Sequence, residues 1–204
     1  MKIVYLVIKN ITDKILSILA IILLFIPSII IAILIKKDSK GKVIYKHKRV
    51  GKKGKIIYVL KFRTMLENAE QLKNNFTPEQ KNEYEKNYRL KDDPRITKIG
   101  KILRNLCIDE IPQFINIIKG DLSIVGPRPI TEEELEKYSE TEKQILLSTK
   151  PGITGYWQVN RKEDTTYKER IDMELYYSKN KNIVLDIKIV LETIELIIKK
   201  CFKF

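Results

Sequence analysis

The sequence predicts an α+β fold, predominantly helical with a small hairpin sheet, held at a membrane by an apolar N-terminal helix and by amphipathic helices lying at the interface. Three observations carry this reading. Residues 15–35 are 21 consecutive uncharged positions. Residues 43–62 read as strand, glycine-bounded turn, strand. The remaining apolar residues recur at helical spacing between capping and proline signals.

The chain has 204 residues, enough for one domain and a small appendage. The appendage comes first. Ile15–Ile35 holds sixteen Ile, Leu and Phe residues, and at about 1.5 Å per residue it is long enough for a hydrocarbon core of about 30 Å. At about 0.3 to 0.6 kcal/mol per large apolar residue, insertion is favoured by roughly 5 to 10 kcal/mol. The interior Pro27 takes back about 3 kcal/mol. A cleaved signal peptide fits less well, because Lys36 and Lys37 follow the run and no small-x-small site does.

Lys2, Lys9 and Lys14 precede the run, and Lys36, Lys37, Lys40 and Lys42 follow it. A straight span places one basic flank on the wrong side of the membrane. A helix bent at Pro27-Ser28 enters and leaves by the same face, with the Ser28 hydroxyl helping to satisfy backbone freed by the proline; a kinked span is the alternative. The expected division is a membrane-embedded unit over 1–40 and a membrane-associated domain over 41–204.

Charge is local. The chain carries +13, and twelve Lys or Arg against a single acid, Asp38, fall between Lys36 and Arg63. Such a stripe suits nucleic acid or an anionic lipid surface. Almost no aromatics interleave with it beyond Tyr45 and Tyr58, which serves base stacking poorly, so lipid is the expected partner and nucleic acid is not. One histidine, His47, and two cysteines, Cys107 and Cys201, leave no histidine-rich zinc site, thiolate cluster or disulfide framework. Chemistry near neutral pH therefore falls to carboxylates, cationic side chains or an oxygen-bound metal such as Mg²⁺.

The hairpin runs from Val43-Ile44-Tyr45 through a turn at Gly51–Gly54 to Ile56–Leu60, without the spacing of a P-loop. Residues 65–91 read as polar helix broken near Thr77-Pro78. Ile96, Ile99, Leu103 and Leu106 mark one side of a short helix. Pro112 opens another that passes Phe114, Ile117 and Ile118 and stops at Gly120. Thr131 and Glu134 form a capping box for a helix over about 132–147. Ile187, Val190, Leu191, Ile194, Ile197, Ile198 and Cys201 give a C-terminal helix a broad apolar face. That face packs on the core or rests on the bilayer, beside Lys199, Lys200 and Lys203.

Functional residues concentrate between Arg104 and Pro129. Asp109 and Glu110 are adjacent just before the Pro112 helix start. Acids there also serve as caps, but a carboxylate beside an anion-binding helix start can attack phosphorus, and two acids can hold Mg²⁺ with substrate phosphates. Arg63, Arg104 and Arg128 offer guanidinium groups for phosphate. Arg128 lies in Gly126-Pro127-Arg128-Pro129, a stiff loop compatible with a cis peptide.

Four blocks resemble the bacterial sugar transferases, the monotopic phosphoglycosyl transferase family: KRVGKKGKIIYVLKFRTM at 48–65, DPRITKIGKILRNLCIDEIPQFINIIKGDLSIVGPRP at 93–129, KPGITGYWQVNR at 150–161 and LDIKIVLETI at 185–194. The resemblance implies a re-entrant membrane helix broken at a Ser/Pro pair, here in the order Pro27-Ser28. It implies transfer of a sugar phosphate from a UDP-sugar to polyprenyl phosphate with Mg²⁺, as the first membrane step of glycoconjugate assembly. Asp109 maps to the nucleophile and Glu110 to its partner, both also expected at the metal. Lys61, Arg63, Arg104 and Arg128 are expected at phosphate, Gln158 and Arg161 at nucleotide or sugar, and Asp172 in the site by family pattern. Trp157 reads as core or as pocket lining, and Lys61 and Arg63 equally as lipid contacts.

Two departures stand out. Cys107 replaces the usual Ser or Thr and is expected as a small buried hydrophobe. The usual Gly-Arg after Gln158-Val159-Asn160 is shortened to Arg161. The stretch at 167–180 is most similar to transferases of galactose or glucose phosphate. Expected partners are a UDP-sugar, polyprenyl phosphate and membrane lipids, with a homodimer allowed, at the cytoplasmic face of a bacterial inner membrane. Rival readings are a non-enzymatic membrane-anchored basic binder and a lipid-diphosphate phosphohydrolase using the same dyad with water.

Overall fold

A computed structural model describes residues 2–87, 90, 92–162 and 164–201. The apolar N-terminus is two helices, α1 (Lys2–Leu23) and α2 (Phe25–Asp38), bent by 62° at their junction. The bend lies at Leu24, one turn ahead of the Pro27-Ser28 pair that the sequence points to. Pro27 has no N–H for the Leu23 carbonyl, and its ring clashes with that carbonyl in a continuous helix. Leu24 takes φ −93° and ψ 8°, and its own carbonyl still accepts the Ser28 N–H at 2.9 Å. Among the described residues no single helix is long and apolar enough to cross a membrane; the bent pair together has the length and composition.

Both ends of the pair are tied to the rest of the chain. Near the start, Tyr5 Oη and Lys9 Nζ each donate to Asp186 Oδ2 at 2.8 Å. Lys150 Nζ donates to Asn10 Oδ1 at 3.0 Å, and the Ser123 hydroxyl donates to the buried Asp13. Lys9 is therefore an internal ion pair rather than a free basic flank. At the far end Ile35 is buried with Phe62 and Leu103, and Asp38 Oδ2 accepts the Ile99 N–H at 2.9 Å. Between these anchors the aliphatic surface is open, with Leu23 at 78% and Ile26 at 69% exposure.

The hairpin forms as expected, slightly longer: β1 (Ile44–Val50) pairs antiparallel with β2 (Ile56–Phe62), Tyr45 opposite Lys61, His47 opposite Val59 and Arg49 opposite Ile57. Paired residues share a face, and alternate residues along a strand share it too. Lys61, His47 and Arg49 thus line one side, together with the buried Ile57 and Val59 that pack on Ile117 and Leu122.

The polar stretch is less helical than the sequence suggests. A 3-10 turn covers Gln71–Asn75 and α3 covers Pro78–Asn87, while residues 88, 89 and 91 lie outside the described residues. Ile96 forms a bridge with Met65 before α4 (Lys98–Asn105) begins, capped by the Thr97 hydroxyl. Gly100 lets α4 lie against Thr64: a Cβ there would stand 2.1 Å from the Thr64 carbonyl oxygen.

Pro112 caps α5 (Gln113–Lys119), which ends at Gly120 with φ 86°. Within it the buried Asn116 acts as an extra strand edge: its amide donates to Tyr58 O at 2.8 Å and its oxygen accepts Leu60 N–H at 2.9 Å. A short parallel pair follows, β3 (Ser123–Val125) with β4 (Gly152–Thr154). Three-residue strands leave too little alternation for the sequence to announce them.

The single helix expected over 132–147 is two, α6 (Glu132–Leu135) and α7 (Glu140–Leu147). The Thr131–Glu134 capping box is present, and a second box, Ser139–Glu142, restarts the helix. Between them Tyr138 turns into a core with Ile130, Leu146, Ile171 and Leu175. Then come α8 (Tyr156–Asn160), α9 (Tyr167–Asn180) and α10 (Ile183–Cys201). On α10, Ile189 is buried against Val125 and Tyr177, whereas Ile187, Leu191, Ile194 and Ile198 are exposed. The Cys201 side chain and Lys203 fall outside the described residues.

Candidate active site

Asp109 and Glu110 sit on their own 3-10 turn, Ile108–Glu110, between α4 and α5. The turn is entered through Cys107 at φ 57°, a left-handed conformation uncommon for a residue with a Cβ. Cys107 is half-buried, with Lys200 Nζ 3.3 Å from its sulfur, so the expected small core residue is instead the pivot of this turn.

Lys61, from the end of β2, divides its ammonium unequally. It donates to Glu110 Oε1 at 2.6 Å and stands 3.8 Å from Asp109 Oδ2. Burial pushes the Asp109 carboxyl above the usual carboxylate range against the pull of Lys61. Burial acts the same way on Glu110, but Lys61, Arg128 and a hydrogen bond from Gln113 outweigh it and hold Glu110 below its ordinary value. Asp109, only 8% exposed, is thus the less engaged of the two carboxylates, raised above its own ordinary value where Glu110 is held below its own. Among the described residues no three His, Cys, Asp or Glu side chains converge on one point. The dyad's two carboxylates fit Mg²⁺, which completes its shell with phosphate oxygens and water.

Arg128 reaches this site from the loop after β3. Its backbone N–H donates to Glu174 Oε2 at 3.0 Å, and its guanidinium lies 5.8 Å from the Trp157 ring. The described peptide bonds are all trans, so the Gly126–Pro129 loop contains no cis peptide. His47 stands among Arg49, Lys61 and Arg128; burial and these three cations push its pKa down to about 3. It is neutral throughout the physiological range.

The other residues singled out in the sequence separate. Arg104 Nε donates to Thr64 Oγ1 at 2.8 Å, and its charge acts on Asp109. Arg63 goes elsewhere. It is buried, and its guanidinium donates to Lys42 O at 2.7 Å, Ser39 Oγ at 2.6 Å and Ser39 O at 2.8 Å, bracing the end of α2 against the hairpin. Four of its five N–H groups are thus held by the chain, so the structure sets Arg63 to bracing the helix end where the sequence suggested phosphate. Asp172 is also placed away from the dyad: it is on the outer side of α9, 59% exposed at its side chain and paired with Lys168 at 3.6 Å. Gln158 is half-buried with neither amide atom partnered. Arg161 is exposed, 5.3 Å from the Trp157 ring.

The sequence profile of the bacterial sugar transferases matches residues 4–200. The chain belongs to that family. This sugar transferase is 39% identical over 189 residues to the exopolysaccharide production protein ExoY of Sinorhizobium fredii, covering 91% of this chain and 83% of that one. It is 40% identical over 163 residues to the undecaprenyl-phosphate galactose phosphotransferase of Salmonella typhimurium, covering 78% of this chain and 34% of that one. Against the UDP-glucose:undecaprenyl-phosphate glucose-1-phosphate transferase of Klebsiella pneumoniae it is 38% identical over 197 residues, 92% and 39% of the two chains. The transferase thus spans most of the first relative and little more than a third of the other two.

Sequence reasoning missed Arg49, Glu134, Arg170 and Glu174. In the transferase these surround Arg128 and Trp157. Glu134 Oε1 pairs with Arg170 at 3.1 Å, and its Oε2 lies 3.8 Å from Arg49. Helical spacing held the signal for one of them: Ile171, Glu174, Leu175 and Ser178 mark the buried side of α9, which puts Glu174 inside and Asp172 outside. Arg49 was readable as the same-face neighbour of His47 on β1.

Proposed function

We propose that this transferase moves a sugar 1-phosphate from a UDP-sugar to polyprenyl phosphate through a covalent aspartyl intermediate. The observation that carries the reading is the unequal dyad. Lys61 is engaged by Glu110 at 2.6 Å and stands 3.8 Å from Asp109, leaving a buried Asp109 oxygen less engaged, with its pKa raised by burial. An Asp109 oxygen attacks the β-phosphorus of the donor; the bond from that phosphorus to the bridging oxygen breaks, and UMP leaves. A phosphate oxygen of polyprenyl phosphate then attacks the same phosphorus, breaking its bond to Asp109. Polyprenyl-diphospho-sugar is released and the carboxylate restored. Dividing the reaction spares a water-borne and a lipid-embedded substrate from meeting in one site.

Lys61, Arg104 and Arg128 supply charge for the phosphoryl oxygens. Asp109 and Glu110 would hold Mg²⁺, which when bound supplies further neutralisation of phosphate charge. Names of relatives that specify undecaprenyl phosphate with galactose or glucose phosphate support a hexose phosphate as cargo.

The membrane arrangement belongs to the same proposal. Tyr5 and Lys9 at one end of the bent pair, and Asp38 and Ser39 at the other, bind the same catalytic unit. A helix pair held this way dips into one leaflet and returns, which agrees with basic residues on both flanks. The exposed aliphatic faces of α1, α2 and α10 suit the bilayer, and the cytoplasmic face of a bacterial inner membrane is the proposed location. Incubation with a panel of UDP-sugars and polyprenyl phosphate tests the reaction. UMP and polyprenyl-diphospho-sugar should appear together for one hexose donor; free sugar phosphate as the end product would favour a hydrolase.

A further inference from the structure

Beyond the dyad, a second group of cations surrounds Trp157. The guanidinium of Arg170 is centred 4.7 Å from its ring, that of Arg161 5.3 Å and that of Arg128 5.8 Å. Arg49 joins through Glu134, which pairs with Arg170 on one oxygen. The other Glu134 oxygen already accepts the Thr131 N–H at 2.9 Å. Glu174 is the second carboxylate of the group, one oxygen of which accepts the Arg128 backbone N–H, and neither acid meets the remaining N–H groups of Arg49 and Arg170.

Several donors of the group stay unmet. Arg49 Nη1, Arg170 Nε and Nη2, and Trp157 Nε1 are all buried and make no hydrogen bond. Unmet buried donors on cations are costly, and a bound anion relieves that cost. Burial and the neighbouring Arg128 and Arg170 also lower the pKa of Arg49 to about 10, against the pull of Glu134.

The group continues the dyad's own line of cations. Lys61 and Arg49 share one face of the hairpin with the neutral His47 between them, and Arg128 acts electrostatically on Glu110 as well as on Arg49. A diphosphate has two linked anionic groups, and Arg128 is the cation that acts on both the dyad and this second group. We infer that Arg49 and Arg170, braced by Glu134 and stacked on Trp157, form a second phosphate subsite that holds the leaving nucleoside monophosphate, with Arg128 shared between that subsite and the dyad. The inference rests on the proposed UDP-sugar donor. A lipid phosphate is the weaker occupant, because none of the exposed large aliphatic side chains lies on α6, α8 or α9, which carry Glu134, Trp157 and Arg170.

The test is calorimetric binding of UMP and of uridine to the full chain in nanodiscs, in an Asp109→Asn background that needs no turnover. UMP should bind more tightly than uridine. Arg49→Gln and Arg170→Gln should each weaken UMP binding on the order of tenfold or more, the worth of a charge-assisted hydrogen bond. Uridine binding should be unaffected, and Lys53→Ala in the exposed turn should change neither. Thermal melts check folding, and either arginine variant suffices if the other fails to fold. Unchanged UMP affinity in a folded variant would overturn the inference. So would intact UMP affinity with a raised KM for polyprenyl phosphate in the corresponding Asp109-containing variants, which would give the group to the lipid. Turnover by Asp109→Asn would undo the nucleophile while leaving the UMP result standing, so the two failures are distinguishable.

Discussion

Glu174 holds Arg128 by the backbone: its Oε2 accepts the Arg128 N–H at 3.0 Å, at a residue only 1% exposed. One turn along the same helix, Tyr177 Oη donates to Val125 O at 3.0 Å. Helix α9 therefore grips the chain on both sides of Gly126-Pro127 and aims the loop that delivers Arg128. The other Glu174 oxygen has no partner, and burial pushes the carboxyl pKa up to about 7.

That raised pKa gives a pH dependence of stability. Between the ordinary value of 4.5 and about 7 the folded state holds a proton at Glu174 that the unfolded state has released. Stability from this group therefore falls as pH rises through that window and levels off above it. Glu174→Gln removes the titration while keeping an acceptor for Arg128. Urea midpoints at pH 5 and pH 8 should show the variant gaining on the wild type at the higher pH; a constant gap would contradict the assignment.

Lys61→Met removes the cation that pulls both dyad pKa values down. The acid limb of the pH profile for UMP release should move to higher pH, and turnover should fall by about tenfold or more, as for loss of one phosphate-stabilising donor. An unshifted limb would separate Lys61 from the dyad's chemistry.

Cysteines replacing the exposed Thr12 and Lys40 should label with a membrane-impermeant reagent from one side only, the cytoplasmic side. Pro27→Leu restores the missing N–H and removes the ring clash, so the helix pair should straighten and some molecules should span. Labelling from opposite sides in the unsubstituted helix would replace the re-entrant arrangement with a spanning anchor.

Asp186→Ala takes from the largely buried Lys9 its nearer partner, leaving Asp13 at 4.0 Å, and removes the acceptor of Tyr5. The expected cost is about 3 kcal/mol, the scale for breaking a buried pair on one side. It should appear as a lower thermal midpoint together with faster proteolysis near α1. Wild-type stability would mean that the membrane helix docks by its apolar contacts alone.

Much of the fold was legible because it is written in local signals. The hairpin turn at Gly51–Gly54, the Pro112 and Gly120 boundaries of α5 and the Thr131–Glu134 box each act within a few residues. The parallel pair Ser123–Val125 with Gly152–Thr154 was not legible, since its strands are short and far apart in sequence. Nor did sequence place the break at Tyr138, whose burial among Ile130 and Leu175 depends on tertiary packing. At the site, the adjacency of Asp109 and Glu110 and the prolines around Arg128 were visible. Arg63 misled because its composition suits phosphate, while its surroundings at Ser39 and Lys42 supply backbone acceptors instead. Asp172 misled because family pattern was followed without helical phase, and Glu174 is the acid on the buried side.

The central claim, that Asp109 forms the covalent link, is tested most directly by intact mass spectrometry of the protein incubated with a UDP-hexose and no lipid acceptor. The wild type should gain one hexose phosphate, release one equivalent of UMP and lose the adduct when polyprenyl phosphate is added. The adduct should map to the peptide containing Asp109 and be absent from Asp109→Asn, where an amide replaces the nucleophilic oxygen. An adduct that persists in Asp109→Asn, or product formed at full rate by that variant, would contradict the account.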